Sequence, residues 1–223
     1  MLLLISRQFA DQFALFNLIR YITFRSGAAC LTALILAFVL GPVTIRWLKS
    51  VQRGGQPIRL DGPERHLIEK KGTPTMGGML MLLAMGFSVF LWGNLSNGYV
   101  WAVMFVTFGY GAIGFVDDFM KLSRRNTKGV SARGKLVAQL VIGLIAAIWM
   151  SWLTRGPLGT GLTVPVFKEV LIPLGYAFPL LGMVVMLGSS NAVNLTDGLD
   201  GLAIVPTIIA LSLIHISEPT RPY

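Results

Sequence analysis

Apolar residues in this chain gather into long runs separated by short polar or basic segments, with neither strict alternation nor a single helical stripe. Six such runs stand out, near residues 27–48, 76–93, 99–117, 134–153, 170–189 and 201–216. A helix needs about 20 apolar residues to cross a bilayer, and the first five runs approach that length. The pattern therefore predicts an all-α fold, a polytopic transmembrane helical bundle with five full spans and a partial sixth. Gly41-Pro42 in the first span and Pro173 and Pro179 in the fifth predict kinks. Membrane helices tolerate such kinks where neighbours satisfy the freed carbonyls. Ahead of the first span, Ser6 to Arg25 mixes Phe9, Phe13, Leu15, Phe16 and Ile19 with Arg7, Asp11 and Arg20. That mixture suits a helix lying in the membrane interface. Met1 to Ile5 is apolar but too short, and lacks the basic lead, for a secretory signal.

The polar intervals set an orientation. Segment 46–75 carries Arg46, Lys49, Arg53, Arg59, Arg65, Lys70 and Lys71, and segment 119–135 carries Lys121, Arg124, Arg125, Lys128, Arg133 and Lys135. Thirteen of the nineteen basic residues thus fall on one side, whereas 94–98 has none and 154–169 only Arg155 and Lys168. The positive-inside rule makes the basic side cytoplasmic and puts the N-terminus outside. Asp117, Asp118 and the segment 190–200 then share the cytoplasmic face.

Composition agrees with the pattern. Apolar residues make up 54% and charged residues 13% of the 223 positions, with a mean hydropathy of +0.68, which excludes an ordinary soluble domain. A net charge of +9 invites a nucleic-acid reading, but the basic residues lie in two blocks between spans and form no single patch, so no nucleic-acid partner is expected. The single cysteine, Cys30, can form no internal disulfide.

Three polar clusters carry candidate chemistry. Asp117 and Asp118 close an eighteen-residue run, Tyr99 to Val116, with no charge. Carboxylates where a span meets water are costly and repel each other, and their oxygens suit a hard cation such as Mg²⁺. Consecutive helical residues point about 100° apart, so the two acids are expected to take different tasks. Lys121 could pair with either of them, which is the structural alternative. The second cluster, Lys70-Lys71-Gly72-Thr73-Pro74-Thr75-Met76-Gly77-Gly78, places lysines, hydroxyls and glycines at a span's start. It is either a diphosphate grip or a capped helix start with snorkelling lysines. In the third, amides and carboxylates recur at Asn191, Asn194, Asp197 and Asp200. An unbroken helix would spread them over half its circumference, and Gly198 and Gly201 allow a break that turns the two acids back together. His66 and His215 have no ligand partners at metal spacing.

Lys70–Gly78 (KKGTPTMGG), Gly114–Asp118 (GFVDD) and Asn191–Ala203 (NAVNLTDGLDGLA) resemble the signature segments of the phospho-N-acetylmuramoyl-pentapeptide transferases. Tyr21–Arg25 (YITFR), Asp61-Gly62-Pro63 and Asn126–Gly129 (NTKG) fit as well, so the resemblance covers about residues 15–210. It implies a multi-pass enzyme of the bacterial cytoplasmic membrane with its active site facing the cytoplasm. Such enzymes transfer phospho-MurNAc-pentapeptide from UDP-MurNAc-pentapeptide to undecaprenyl phosphate with Mg²⁺, giving lipid I and UMP in peptidoglycan precursor synthesis. Homodimers occur in the family. Asp117 and Asp118 match its aspartate pair, implicated in catalysis and in handling Mg²⁺ or the lipid phosphate. Lys70 and Thr75 match positions near the nucleotide-sugar site, and Asn191, Asn194, Asp197 and Asp200 its uridine- and sugar-side polar segment.

The chain departs from the family in extent. The resemblance implies about ten spans, a third aspartate in a Phe-Met-Gly-Asp segment and a histidine-rich loop, and neither segment lies within 1–223. Residues 1–210 are thus expected to be the N-terminal part of one membrane transferase domain. Leu211–Tyr223 (LSLIHISEPTRPY) reads as the translation of a transposon-end sequencing adapter. A sister polyprenyl-phosphate GlcNAc-1-phosphate transferase remains the alternative within the same chemistry, and a cation-coupled transporter the alternative outside it. Residues 1–223 alone are expected to release no UMP. Mg²⁺-dependent UMP release from the purified chain would overturn that expectation.

Overall fold

A computed structural model describes residues 1–9, 14–52, 74–124, 129–154, 157–164, 167–196 and 202–209. Its helices are α1 (Leu2–Phe9), α2 (Ala14–Leu18), α3 (Ile22–Val51), α4 (Gly78–Trp92), α5 (Gly98–Ser123), α6 (Ala132–Leu153) and α7 (Phe178–Thr196). Two strands, β1 (Gly161–Val164) and β2 (Phe167–Pro173), form an antiparallel hairpin between α6 and α7. A further helical stretch covers 204–209, within the expected partial sixth span.

The chain is an all-α membrane bundle in which each long helix packs on the next: α3 on α4, α4 on α5, α5 on α6 and α6 on α7. Among the described residues four helices are long and apolar enough to cross a membrane, and α4 is a shorter apolar helix of 15 residues. At 1.5 Å per residue α4 is about 22 Å long, less than the ~30 Å hydrocarbon core. The expected second full span is therefore shorter than its apolar run, because Thr75–Gly77 is spent on a turn and Gly93 ends the helix.

The bundle interior is made of small residues. Ala84, Gly86 and Ser88 of α4, Ala102 of α5, and Gly143, Ala146 and Ala147 of α6 are buried. By contrast Phe38, Trp152 and Leu195 are largely exposed. Lipid is as apolar as leucine, so large side chains gain little by turning inward, while small ones let backbones approach closely. Gly86 receives the Phe108 ring, Gly111 receives Leu82, and Gly109 faces Ile142.

Polar ties fasten the ends. Asn97 and Ser131 cap α5 and α6 by accepting from the N–H groups of Tyr99 (3.0 Å) and Gly134 (3.2 Å). At the end of the bundle away from the acids, the Tyr99 and Thr154 hydroxyls meet at 2.6 Å. At that end too, Arg25 donates to the Trp92 carbonyl at 3.4 Å.

Three expectations change. The segment before the first span, expected as one interfacial helix over 6–25, shows α1 and α2 among the described residues and a turn at 19–21 before α3, with α1 seated near the end of α4, where the Met1 ammonium donates to the Phe90 carbonyl at 2.9 Å. The fifth span was expected at 170–189, but Phe167–Pro173 is strand and the helix runs from Phe178 to Thr196. Pro173 ends β2, and Pro179 lies in the first turn of α7, where a missing N–H costs nothing, so neither kinks a helix. α3 continues through Pro42 over its full 30 residues.

A Cβ on Gly143 would lie 3.2 Å from the Tyr110 hydroxyl and 3.6 Å from Met183, whereas one on Gly41 meets nothing within 4 Å. Thermal unfolding in detergent should therefore show Gly143→Leu destabilised by about 1–3 kcal/mol. Gly41→Ala should stay within about 0.5 kcal/mol of the parent.

Candidate functional site

The acidic pair lies in the last two turns of α5, and each carboxylate is turned to a different neighbour. Asp117 Oδ2 pairs with Lys121 Nζ at 2.6 Å, and its Oδ1 accepts from the Val130 N–H at 2.8 Å. Asp118 Oδ2 accepts from the Thr75 hydroxyl at 2.8 Å, while among the described residues its Oδ1 meets Lys121, at 3.4 Å. This is the roughly 100° divergence of consecutive helical residues made visible: Asp117 faces the segment entering α6, and Asp118 faces the segment entering α4. Lys121, one turn on, reaches both acids and offsets their repulsion. Gly129 leaves room for this pair, because a Cβ there would push the Asp117 carboxylate aside.

A cavity of about 850 Å³ opens beside the pair. Asp117, Asp118, Lys121, Lys135 and Asn194 line its polar part; Met81, Leu82, Met85, Phe108 and Phe115 line its apolar part. It is thus a single amphipathic space between α4 and α5, reached from α6 and α7 by Lys135 and Asn194. Its size is that of a small-molecule site.

The residues expected from sequence separate into three sets. Asp117, Asp118 and Asn194 line the cavity, and Thr75 joins them through its bond to Asp118. Asn191 is turned elsewhere: its Nδ2 donates to Gln139 Oε1 at 3.1 Å and to the Leu187 carbonyl at 2.9 Å. Lys70, Asp197 and Asp200 lie outside the described residues. α7 is helical through Thr196, so any break of the helix at Gly198 falls outside the described residues too.

Sequence reasoning missed Lys135, Gln52 and Gln139. Lys135 counted only as a topology signal. Gln139 is buried in α6 and links three helices, its Nε2 donating to Ser190 Oγ at 3.3 Å and its carbonyl accepting from the Tyr110 hydroxyl at 3.2 Å. A lone glutamine inside an apolar run was the available signal, since a buried amide in a membrane must find partners.

Among the described residues, no third His, Cys, Asp or Glu joins the acidic pair. The carboxylates and the amide at the cavity's polar end offer oxygens, and among the described residues Asp118 Oδ1 meets Lys121 alone, at 3.4 Å. Those oxygens fit a hard cation held by one or two carboxylates together with substrate phosphates.

Fold and site together define a polytopic helical membrane protein with an acid- and lysine-lined cavity at one end of its bundle. Residues 100–220, more than half the chain, match the glycosyl transferase family 4 model, and the chain belongs to that family. It is 72% identical over 207 residues to a phospho-N-acetylmuramoyl-pentapeptide-transferase of Granulibacter bethesdensis, covering 93% of this chain and 57% of that protein. It is 57% identical over 195 residues to the protein of the same name from Gluconobacter oxydans, covering 87% and 54%. With the one from Maricaulis maris it shares 51% over 221 residues, covering 97% and 60%. The chain thus spans a little over half the length of the curated relatives it matches.

Gly129→Ala should expel the Asp117 carboxylate from the Val130 N–H. Hydrogen exchange of the peptide carrying Val130 should accelerate about 10- to 100-fold, as expected for losing a hydrogen bond to a charged group worth about 1.5–3 kcal/mol.

Proposed function

We propose that the chain is part of an enzyme that transfers phospho-MurNAc-pentapeptide from UDP-MurNAc-pentapeptide to undecaprenyl phosphate, releasing UMP and forming lipid I. The observation that carries this reading is the amphipathic cavity, in a chain whose relatives are named phospho-N-acetylmuramoyl-pentapeptide-transferase. One acceptor with an anionic head and a long apolar tail matches both parts of the space at once. Its phosphate meets Lys121 and Lys135, and its first isoprene units meet Leu82, Met85 and Phe108.

Attack of a phosphate oxygen on a diphosphate needs charge neutralisation and in-line positioning more than covalent help. Lys121 and Lys135 supply fixed positive charge at the polar end. Asp118, whose Oδ1 is the more loosely held by Lys121, is the residue assigned to hold Mg²⁺, and Asp117 shares that duty only if Lys121 lets go of it. Bound there, Mg²⁺ would act as a Lewis acid on the phosphoryl oxygens. Thr75, Asn194 and, outside the described residues, Lys70, Asp197 and Asp200 are assigned to the nucleotide-sugar side. Asn191 acts from behind, by holding α7 against α6 through Gln139. The basic loops put this end of the bundle in the cytoplasm of a bacterial cell, where the nucleotide substrate is made.

In the complete gene product, purified in detergent, UDP-MurNAc-pentapeptide and undecaprenyl phosphate should give UMP and a lipid-linked product. Asp118→Asn should lower kcat by at least about 10²-fold, the scale of losing one preorganised electrostatic contact. Turnover of UDP-GlcNAc instead would move the protein to the sister GlcNAc-1-phosphate branch. Cation uptake into vesicles that vanishes with the same substitution, without turnover, would replace the enzyme reading by a transporter.

A further inference from the structure

We propose that Gln52, which ends α3, is a positioning residue that sets Asp118 through Thr75. Gln52 is only 4% exposed, and its side-chain amide closes both backbone groups of Thr75. The Thr75 N–H donates to Gln52 Oε1 at 2.9 Å, and Gln52 Nε2 donates to the Thr75 carbonyl at 3.1 Å. The Thr75 hydroxyl then donates to Asp118 Oδ2 at 2.8 Å. The chain of bonds runs unbroken from the end of α3, across the start of α4, to the end of α5.

The physical need for it is local. Thr75 lies in a turn outside helix and strand, so its N–H and carbonyl have no regular partner, and unpaired backbone groups away from water are costly. A glutamine amide carries one acceptor and one donor in the spacing of a peptide group and satisfies both at once. The next residue, Met76, has φ +72°, a left-handed conformation that a side-chain-bearing residue keeps only when its surroundings hold it. Gln52 is that hold. By fixing the Thr75 backbone it fixes the direction of the hydroxyl, and the hydroxyl fixes which oxygen of Asp118 it holds and which is turned toward Lys121. The catalytic meaning of this relay rests on the transferase reading; its geometry does not.

Two measurements test it separately. In the full chain in detergent, Gln52→Leu should speed hydrogen exchange of the peptide carrying Thr75 about tenfold, the scale of one lost backbone hydrogen bond. The peptide carrying Val130, held by Asp117, should not change. Gln52→Glu keeps an acceptor for the Thr75 N–H and should leave that exchange near the parent value. In the complete gene product, Gln52→Leu and Thr75→Ala should each lower kcat about tenfold, Gln52→Leu with KM for the nucleotide sugar within twofold. The double variant should be no worse than Thr75→Ala, because both act through one hydroxyl. Unchanged Thr75 exchange in Gln52→Leu, equal acceleration at Val130, or multiplying losses in the double variant would each overturn the relay. Absence of any turnover in the parent would instead overturn the transferase reading and leave the exchange experiment to decide the anchoring of Thr75.

Discussion

Two like charges on consecutive residues repel, and at the end of α5 that repulsion is offset by turning each carboxylate onto a different neighbour. Lys121 pairs with Asp117 at 2.6 Å and approaches Asp118 at 3.4 Å, the Val130 N–H takes the second oxygen of Asp117, and the Thr75 hydroxyl takes one oxygen of Asp118. Each of these bonds ties a chain segment as well as a charge. The entry to α6 is fastened through Val130, and the entry to α4 through Thr75, which Gln52 in turn fastens to α3. The acidic pair is therefore a hub of the polar end of the bundle as well as its chemical feature.

Elsewhere the helices have little polar glue and rely on close approach. Alanine and glycine fill the interfaces, and the bulky residues face outward, as expected when the surrounding solvent is hydrocarbon. The buried Gln139 is an exception with a purpose. It joins Tyr110 on α5 to Ser190 and Asn191 on α7, so the register of α7 against the two helices before it is set by hydrogen bonds. Asn194, one turn beyond Asn191, reaches the cavity because of that register. The cavity is then the gap that remains between α4 and α5, the most lightly packed pair of consecutive long helices.

Much of this was legible from residue order. Runs of about twenty apolar residues located α3, α5 and α6, because the bilayer sets one length for every span. The same argument failed at 170–173, where apolar residues continue but the backbone is strand. Hydropathy cannot separate a short apolar strand from the start of a helix, and Gly175 at φ +51° marks the turn between them only after the fact. The acidic pair and Asn194 could be chosen from sequence since charges and amides beside spans are rare and costly, whereas Thr75 was singled out by the family resemblance. Gln52 could not, because a glutamine at a helix end has an ordinary solvated fate unless another segment comes to meet it.

Sequence alone determined the class of fold, most of the long apolar helices, the end at which the polar residues gather and the diverging directions of Asp117 and Asp118. Those follow from local rules: the thickness of a bilayer, the cost of a charge within it and the 100° turn per helical residue. Only the tertiary structure decided which partner each carboxylate takes, that Asn191 holds Gln139 while Asn194 lines the cavity, and that Gln52 stands behind Thr75. These are contacts between residues 13 to 52 positions apart in the chain. They depend on helix register and on how closely small residues let the backbones approach, which no single stretch of sequence encodes.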